Sequence, residues 1–165
     1  MNRAYDKPCE VILIYTDERS GPMSGMEFTH GRTIVARLPY GADLLDEIVT
    51  LADRHGIEAA ALQGLGALRH ARLAYYDQGA KIYDEFDLDG PLEITALAGN
   101  LSRRDGAPAA HVHLTLADHE GHAFGGHAAP GCLVFACELV VSELHGPALE
   151  RTYDAVTGLP LWRGL

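Results

Sequence analysis

The sequence predicts an α+β domain in which a mainly antiparallel β-sheet packs against one principal helix. Three observations lead there. One segment, Asp43 to His55, carries a helical apolar stripe. The chain after it breaks into short apolar or alternating runs spaced about 10 residues apart, with turn residues between them. That spacing favours hairpins over the helix-containing crossovers that a parallel sheet needs. With 165 residues, 47% of them apolar, the chain is long enough to bury one real core.

The elements follow in order. Cys9 to Tyr15 is an apolar run expected to form an early strand. Asp17 to Gly31 holds Gly21-Pro22 and Gly25 and reads as a loop. Arg32 to Leu38 alternates as a strand and is ended by Pro39-Tyr40-Gly41. In the helix, Leu44, Leu45, Ile48, Leu51 and Ala52 form the stripe, Asp43 caps the first turn, and Gly56 supplies the left-handed stop. Strands are then expected over Ala59–Leu62, Ala71–Tyr76, Ala80–Leu88, Leu92–Ala98, Ala110–Leu116 and Leu133–Leu144. Gly64-Leu65-Gly66 lacks the later glycine of a dinucleotide fingerprint and reads as a tight strand-to-loop turn. Residues 1–31 thus form a strand-and-loop extension, 32–145 the domain proper, and 146–165 a C-terminal segment packed on it. That last segment should end in a short strand or hairpin around Asp154 to Gly158.

Charge narrows the function. Lys and Arg number 13 against 23 Asp and Glu, a formal net charge of −10. Such a balance opposes phosphate neutralisation on nucleic acid and binding to anionic membranes. Apolar runs such as Cys132 to Cys137 are far shorter than the roughly 20 residues of a membrane span. No apolar h-region follows Met1, so no signal peptide is expected. Three cysteines are an odd number, and Cys132 and Cys137, an odd step apart on one strand, should face opposite sides of it. The expectation is a reduced, cytoplasmic protein.

Nine histidines are present, and His111, His113, His119, His122 and His127 crowd together. In the alternating strand around His111-Val112-His113, the two imidazoles share a face with Thr115, while Val112, Leu114 and Leu116 take the other. Side chains at i and i+2 have roots about 7 Å apart, close enough for both rings to reach one ion. A hairpin near Asp118 to Gly121 would return His127 beside them, and Gly125-Gly126 would let the backbone pass close to another strand. Three neutral imidazoles plus water make an open site of catalytic type for Zn, although Cu, Fe or Ni suit the same donors. The alternative is a solvated strand face with no metal. His119 and His122 belong to the turn and are expected in solvent. A cupin would place a Glu shortly after the His pair, and a histidine-triad hydrolase would have a third His at Thr115; neither pattern fits. Glu93, inside an apolar strand, is a candidate for a general base or for a partner of a ligating His. An edge or interface charge is its alternative reading, and Glu138 shares the ambiguity.

Taken together, these pieces resemble the plants-and-prokaryotes-conserved (PPC) domain family from about Arg32 to Leu144. The resemblance rests on Gly41-Ala42-Asp43-Leu44, His55-Gly56-Ile57-Glu58-Ala59-Ala60, Gly64-Leu65-Gly66-Ala67-Leu68 and Leu73-Ala74-Tyr75-Tyr76-Asp77. It continues through Pro91 to Asn100, His111 to Asp118 and Gly125-Gly126-His127. It implies a homotrimer, and a metal, zinc by the family's pattern, held by the positions that are His111, His113 and His127 here. The strands Leu92–Ala98 and Leu133–Val141, apolar on both faces, agree with burial between subunits. Plant members carry an AT-hook and act on DNA. This chain has no Arg-Gly-Arg-Pro hook, and its comparable basic pair, Arg103-Arg104, falls in an expected turn. The leading expectation is therefore a trimeric metal-binding protein with a small-molecule or hydrolytic role. The alternative is a DNA-associated protein, for which a partner would have to supply the contacts.

Overall fold

A computed structural model describes Ile12, Leu13 and residues 24–165. The helix forms where the stripe requires it. α1 spans Leu44–His55 and buries Leu44, Ile48 and Ala52. Asp43 Oδ1 accepts from the amides of Leu45 (2.9 Å) and Asp46 (3.2 Å). Its Oδ2 accepts from Gly131 N at 2.6 Å, so the same carboxylate ties the helix start to a distant loop. Gly56, at φ 63°, ends the helix in the left-handed conformation that lacks a steric cost only in glycine.

The strands are β1 (Ile12–Leu13), β2 (Ser24–Gly25), β3 (Thr29–Leu38), β4 (Ala60–Asp77), β5 (Ile82–Arg104), β6 (Ala107–Ala117), β7 (Ala123–Ala128), β8 (Leu133–His145), β9 (Glu150–Tyr153) and β10 (Pro160–Trp162). β1 and β2 pair with each other; the other eight run in the order β10-β9-β5-β6-β7-β4-β8-β3. β4 also pairs with β5 along its length, so β4, β5, β6 and β7 close into a ring. Every pairing is antiparallel except β5 with β9. Leu62, Leu68, Leu73, Leu101, Val112 and Leu139 fill the core between these strands and α1.

The structure differs from the sequence reading at several points. β3 begins at Thr29, inside the segment read as loop. β1 falls within the expected strand Cys9–Tyr15, whose other residues lie outside the described ones. Gly64-Leu65-Gly66 is not a turn, and neither is Asp89-Gly90-Pro91, which the sequence sets as turn residues between the expected strands Ala80–Leu88 and Leu92–Ala98; both lie within the continuous strands β4 and β5, where the pairing register slips. A bulge absorbs one extra residue and bends a strand without ending it. Arg103 and Arg104 end β5, and the turn belongs to Asp105 (φ 54°) and Gly106 (φ 77°).

A further slip explains the cysteines. Ala67 pairs with Ala136 and Leu68 with Val134, so β8 carries an unpaired Phe135. Across that bulge the inward alternation shifts by one, and Cys132 and Cys137 are both buried rather than on opposite sides. They are free thiols, pushed up to about 11 by burial. The same bulge leaves Phe135 58% exposed, and Leu65 on the neighbouring β4 is 59% exposed, so within one chain the outer face of these strands is open.

Arg32 joins β3, β8 and the helix end. Its Nε and Nη2 donate to the two oxygens of Glu143 at 2.7 and 2.8 Å, and Nη2 also donates to His55 O at 2.9 Å. The guanidinium and its backbone amide hold the Glu143 carboxyl down to about 2. The tightest backbone approach is at Gly66, φ 150°, where a Cβ would lie 2.1 Å from Ala136 O. We expect Gly66→Ala to cost at least about 2 kcal/mol in urea unfolding, through strain and overlap. Gly125→Ala, whose Cβ would sit 3.4 Å from Leu114 O, should stay within about 1 kcal/mol. Equal stabilities for the two variants would contradict this account of the bulge.

Candidate metal centre

β6 alternates as its sequence requires. Val112, Leu114 and Leu116 are buried, and α1 packs on this strand. His111 and His113 therefore project from the opposite face. The return to β7 is made by Asp118, whose Oδ1 accepts from the amides of Glu120 (2.9 Å) and His122 (3.0 Å). β7 then places His127 directly across from His113 and, on its other edge, beside Ala74 of β4. Gly126 allows that approach: a Cβ there would lie 3.1 Å from both Ala74 O and Leu73 Cβ.

The three imidazoles converge. His111 Nε2 and His113 Nε2 are 3.2 Å apart, and ring centroids are separated by 4.9 Å (His111–His127), 5.2 Å (His111–His113) and 5.3 Å (His113–His127). One nitrogen from each ring lies within 4.8 Å of the other two. Two nitrogens on one tetrahedral zinc, with bonds of 2.0–2.1 Å, would be about 3.4 Å apart, so the His111–His113 spacing already fits a shared ion. His127 Nδ1 is buried and has no hydrogen-bond partner, which is costly for a ring nitrogen unless something binds the ring.

The surroundings favour neutral rings. Burial first, then His127, Arg151 and His113, lower the pKa of His111 to about 4. Burial, His113 and Arg151 lower that of His127. A neutral imidazole is the form that ligates. Tyr83 stacks obliquely on His127, at 5.1 Å between centroids.

The remaining sequence candidates separate clearly. His119 is exposed, and His122 is exposed and bound to Asp118 at 3.0 Å and Glu120 at 3.4 Å, so both belong to the turn. Asp118, Glu120 and His122 form a second group of possible ligands, but these pairings already engage it. Glu93 is not brought to the triad. It pairs with Ala117, four residues along β6 from His113 or about 13 Å, and is exposed. Glu138 is exposed on β8, paired with Leu65 and Arg37. His70 is held by Asp87 and Asp89, and His145 by Glu143.

Sequence reasoning missed Arg151. The parallel pairing of β9 with β5 lays it across Asn100 and Ser102, and its Nη2 comes 3.3 Å from His111 Nδ1. No motif surrounds Arg151, and 40 residues separate it from His111, so nothing local in the sequence could have pointed to it.

Fold and site together define a one-helix, ring-closed β domain with three histidines gathered on adjacent strands. The chain belongs to the plants and prokaryotes conserved (PCC, also written PPC) domain family, whose model matches residues 25–145. It is similar to a metal-containing protein of Archaeoglobus fulgidus, with 43% identity and a TM-score of 0.81 over 85% of this chain and 99% of that one. A plant- and prokaryote-conserved protein of Pyrococcus horikoshii shares 37% identity and a TM-score of 0.80, over 84% of this chain and 96% of its own. A Ralstonia eutropha protein with DNA binding as its suggested role shares 26% identity and a TM-score of 0.71, covering 79% and 90% of the two chains. Among curated proteins, the bifunctional protein GlmU of Synechococcus sp. (strain JA-3-3Ab) is 35% identical over 77% of this chain. The match covers 20% of that relative's length, so the chain spans about a fifth of the curated relatives it matches.

His111 gives a direct test in metal-free protein. An unfolded imidazole titrates near 6.5 and the folded ring at about 4. Between those values the unfolded chain takes up the proton first, so this contribution is intact above 6.5 and is lost as pH falls toward 4. NMR should place the His111 midpoint near 4, and the thermal midpoint should drop across that window. A His111 midpoint above about 6 would contradict the buried, cation-flanked environment.

Proposed function

We propose that this is a homotrimeric metal-binding protein whose His111, His113 and His127 hold one divalent transition ion, zinc in preference, with a position left open for water or a small molecule. The observation that carries the reading is the convergence of three imidazole nitrogens, one from each ring, within 4.8 Å of one another. The description of the A. fulgidus relative as metal-containing supports it. Imidazole-only donors suit zinc and exclude the hard cations that prefer oxygen.

Each residue has a definable part. His111 and His113 are fixed on one face by the pleat of β6, and His127 by its register with His113. Tyr83 packs against the His127 ring and limits its rotation. When His111 ligates through Nε2 its proton sits on Nδ1, so Arg151 must turn its Nη2 from this nitrogen toward Asn100 Oδ1, which it already meets at 2.7 Å. A zinc ion with an open position acidifies water or polarises a carbonyl, which is the basis for a small-molecule or hydrolytic role. Glu93 lies too far along the sheet to act as base at this site.

The trimer is supported by the exposed apolar residues Val35, Leu65 and Phe135 on adjacent strands, 73%, 59% and 58% exposed in the single chain. Apolar area of this kind on neighbouring strands marks an interaction surface. DNA association, suggested by the R. eutropha relative, has the formal charge of −10 against it.

Purified wild-type protein dialysed against a weak chelator should retain about one zinc per chain. His113→Ala should lose it, and His119→Ala should not. Equal zinc in His113→Ala and the parent would overturn the triad, and loss confined to His119→Ala would transfer the site to the turn. Light scattering should give three chains per particle at micromolar concentration. A monomer would remove the trimer from the proposal.

A further inference from the structure

Beside the triad lies a cavity of about 480 Å³, within the size range of small-molecule sites. It opens onto His111 and His127 and is closed on one side by the β9–β10 hairpin. Its charge is opposite to that of the protein. The chain carries a formal −10, yet Lys81, Arg104 and Arg151 line this cavity and, among the described residues, no Asp or Glu does.

Arg151 decides what that charge is for. It is 9% exposed, and its partners are neutral: Nε donates to Ser102 Oγ (2.9 Å), Nη1 to Pro160 O (3.0 Å) and Nη2 to Asn100 Oδ1 (2.7 Å). A buried guanidinium without a counter-charge is costly, and burial lowers its pKa. Of its five N–H groups, three are taken by these acceptors and a fourth faces His111 Nδ1 at a long 3.3 Å. That leaves one N–H for a small anion, and a second where the long contact to His111 gives way. Lys81 Nζ donates to Ala155 O at 2.9 Å and lies near enough to Asp154 to stabilise that carboxylate, and Arg104 at the rim meets Asp105 at 3.7 Å. The facing wall is apolar: Ile82, Tyr83 and Leu161 are 55%, 41% and 41% exposed.

We infer that this cavity binds a small organic carboxylate, with the carboxylate on Arg151 and the apolar body against Ile82, Tyr83 and Leu161, next to the ion held by the triad. The placement beside a metal rests on the function proposed above; the cationic, carboxylate-free lining stands without it. A ligand held there would present its carboxylate end to Arg151 and the atoms nearest that end to the open position of the metal.

Calorimetry on zinc-loaded and chelator-stripped wild-type protein tests this with three probes: benzoate, benzamide (the same body without the charge) and inorganic phosphate. Benzoate should bind zinc-loaded protein with Kd below about 1 mM. Benzamide should bind at least about tenfold more weakly, and phosphate should not displace benzoate. Arg151→Gln, loaded to one zinc per chain, should bind benzoate at least about tenfold more weakly. Should that buried replacement fail to fold, Leu161→Glu sets a carboxylate on the exposed wall and should abolish benzoate binding with zinc retained. Zinc bound without benzoate, benzamide binding as well as benzoate, or displacement by phosphate would overturn the carboxylate site alone. Benzoate bound to a protein that takes up no zinc on loading would overturn the metal reading and leave this one standing. Loss of both would overturn both.

Discussion

Strand β4 has to satisfy partners on both of its edges along most of its 18 residues. One edge carries β5 throughout. The other carries β8 from Ala60 to His70 and then β7 at Leu73 and Ala74. This shared edge brings β7 in at the right level and closes the ring through β6 and β5. Three backbones cannot meet so closely with ordinary side chains between them. At Gly66 a Cβ would lie 2.1 Å from Ala136 O, and at Gly126 it would lie 3.1 Å from Ala74 O. The glycines permit the crossing, the crossing sets the register of His127 against His113, and the register gathers the triad.

That chain of causes explains what was readable in the sequence and what was not. The helix was legible because its signals are local: Asp43, the Leu44–Ile48–Ala52 stripe and Gly56 all act within one segment. The pairing of His111, His113 and His127 was legible because a period of two and a short hairpin are also local. Gly64, Gly66 and Gly90 misled because glycine marks turns and bulges alike, and long-range pairing decides which. The burial of both Cys132 and Cys137 depends on a one-residue bulge at Phe135 that no periodicity announces. Arg151 was invisible for the same kind of reason, since β9 meets β5 in parallel only after the chain has passed round the whole sheet.

The electrostatics of the site follow from this late arrival. Without β9, His111 would face solvent beside Asn100; with it, a cation lies against the ring and burial deepens. Both effects disfavour protonation, which keeps a ligand nitrogen available in mildly acid solution. The guanidinium that helps hold His111 neutral is itself left without a counter-charge. A negative ligand relieves the protein of that cost, and an imidazole triad attracts a positive one. The two requirements are adjacent and complementary in sign.

The same distribution bears on the choice between a small-molecule role and a nucleic-acid role. Phosphate-backbone binding draws on cations spread over an accessible surface, so that several phosphates are met at once. Here Arg72 is engaged with Asp87, Arg32 with Glu143 and Arg103 with Glu58. Arg151, by contrast, meets neutral acceptors and lines a concave cavity beside the histidines. A duplex backbone does not enter a 480 Å³ recess, whereas a ligand of a dozen or so heavy atoms does. A buried guanidinium set beside the three imidazoles is arranged for a small anion. The geometry of one chain already supplies that arrangement, with all three histidines, Arg151 and the apolar wall in place.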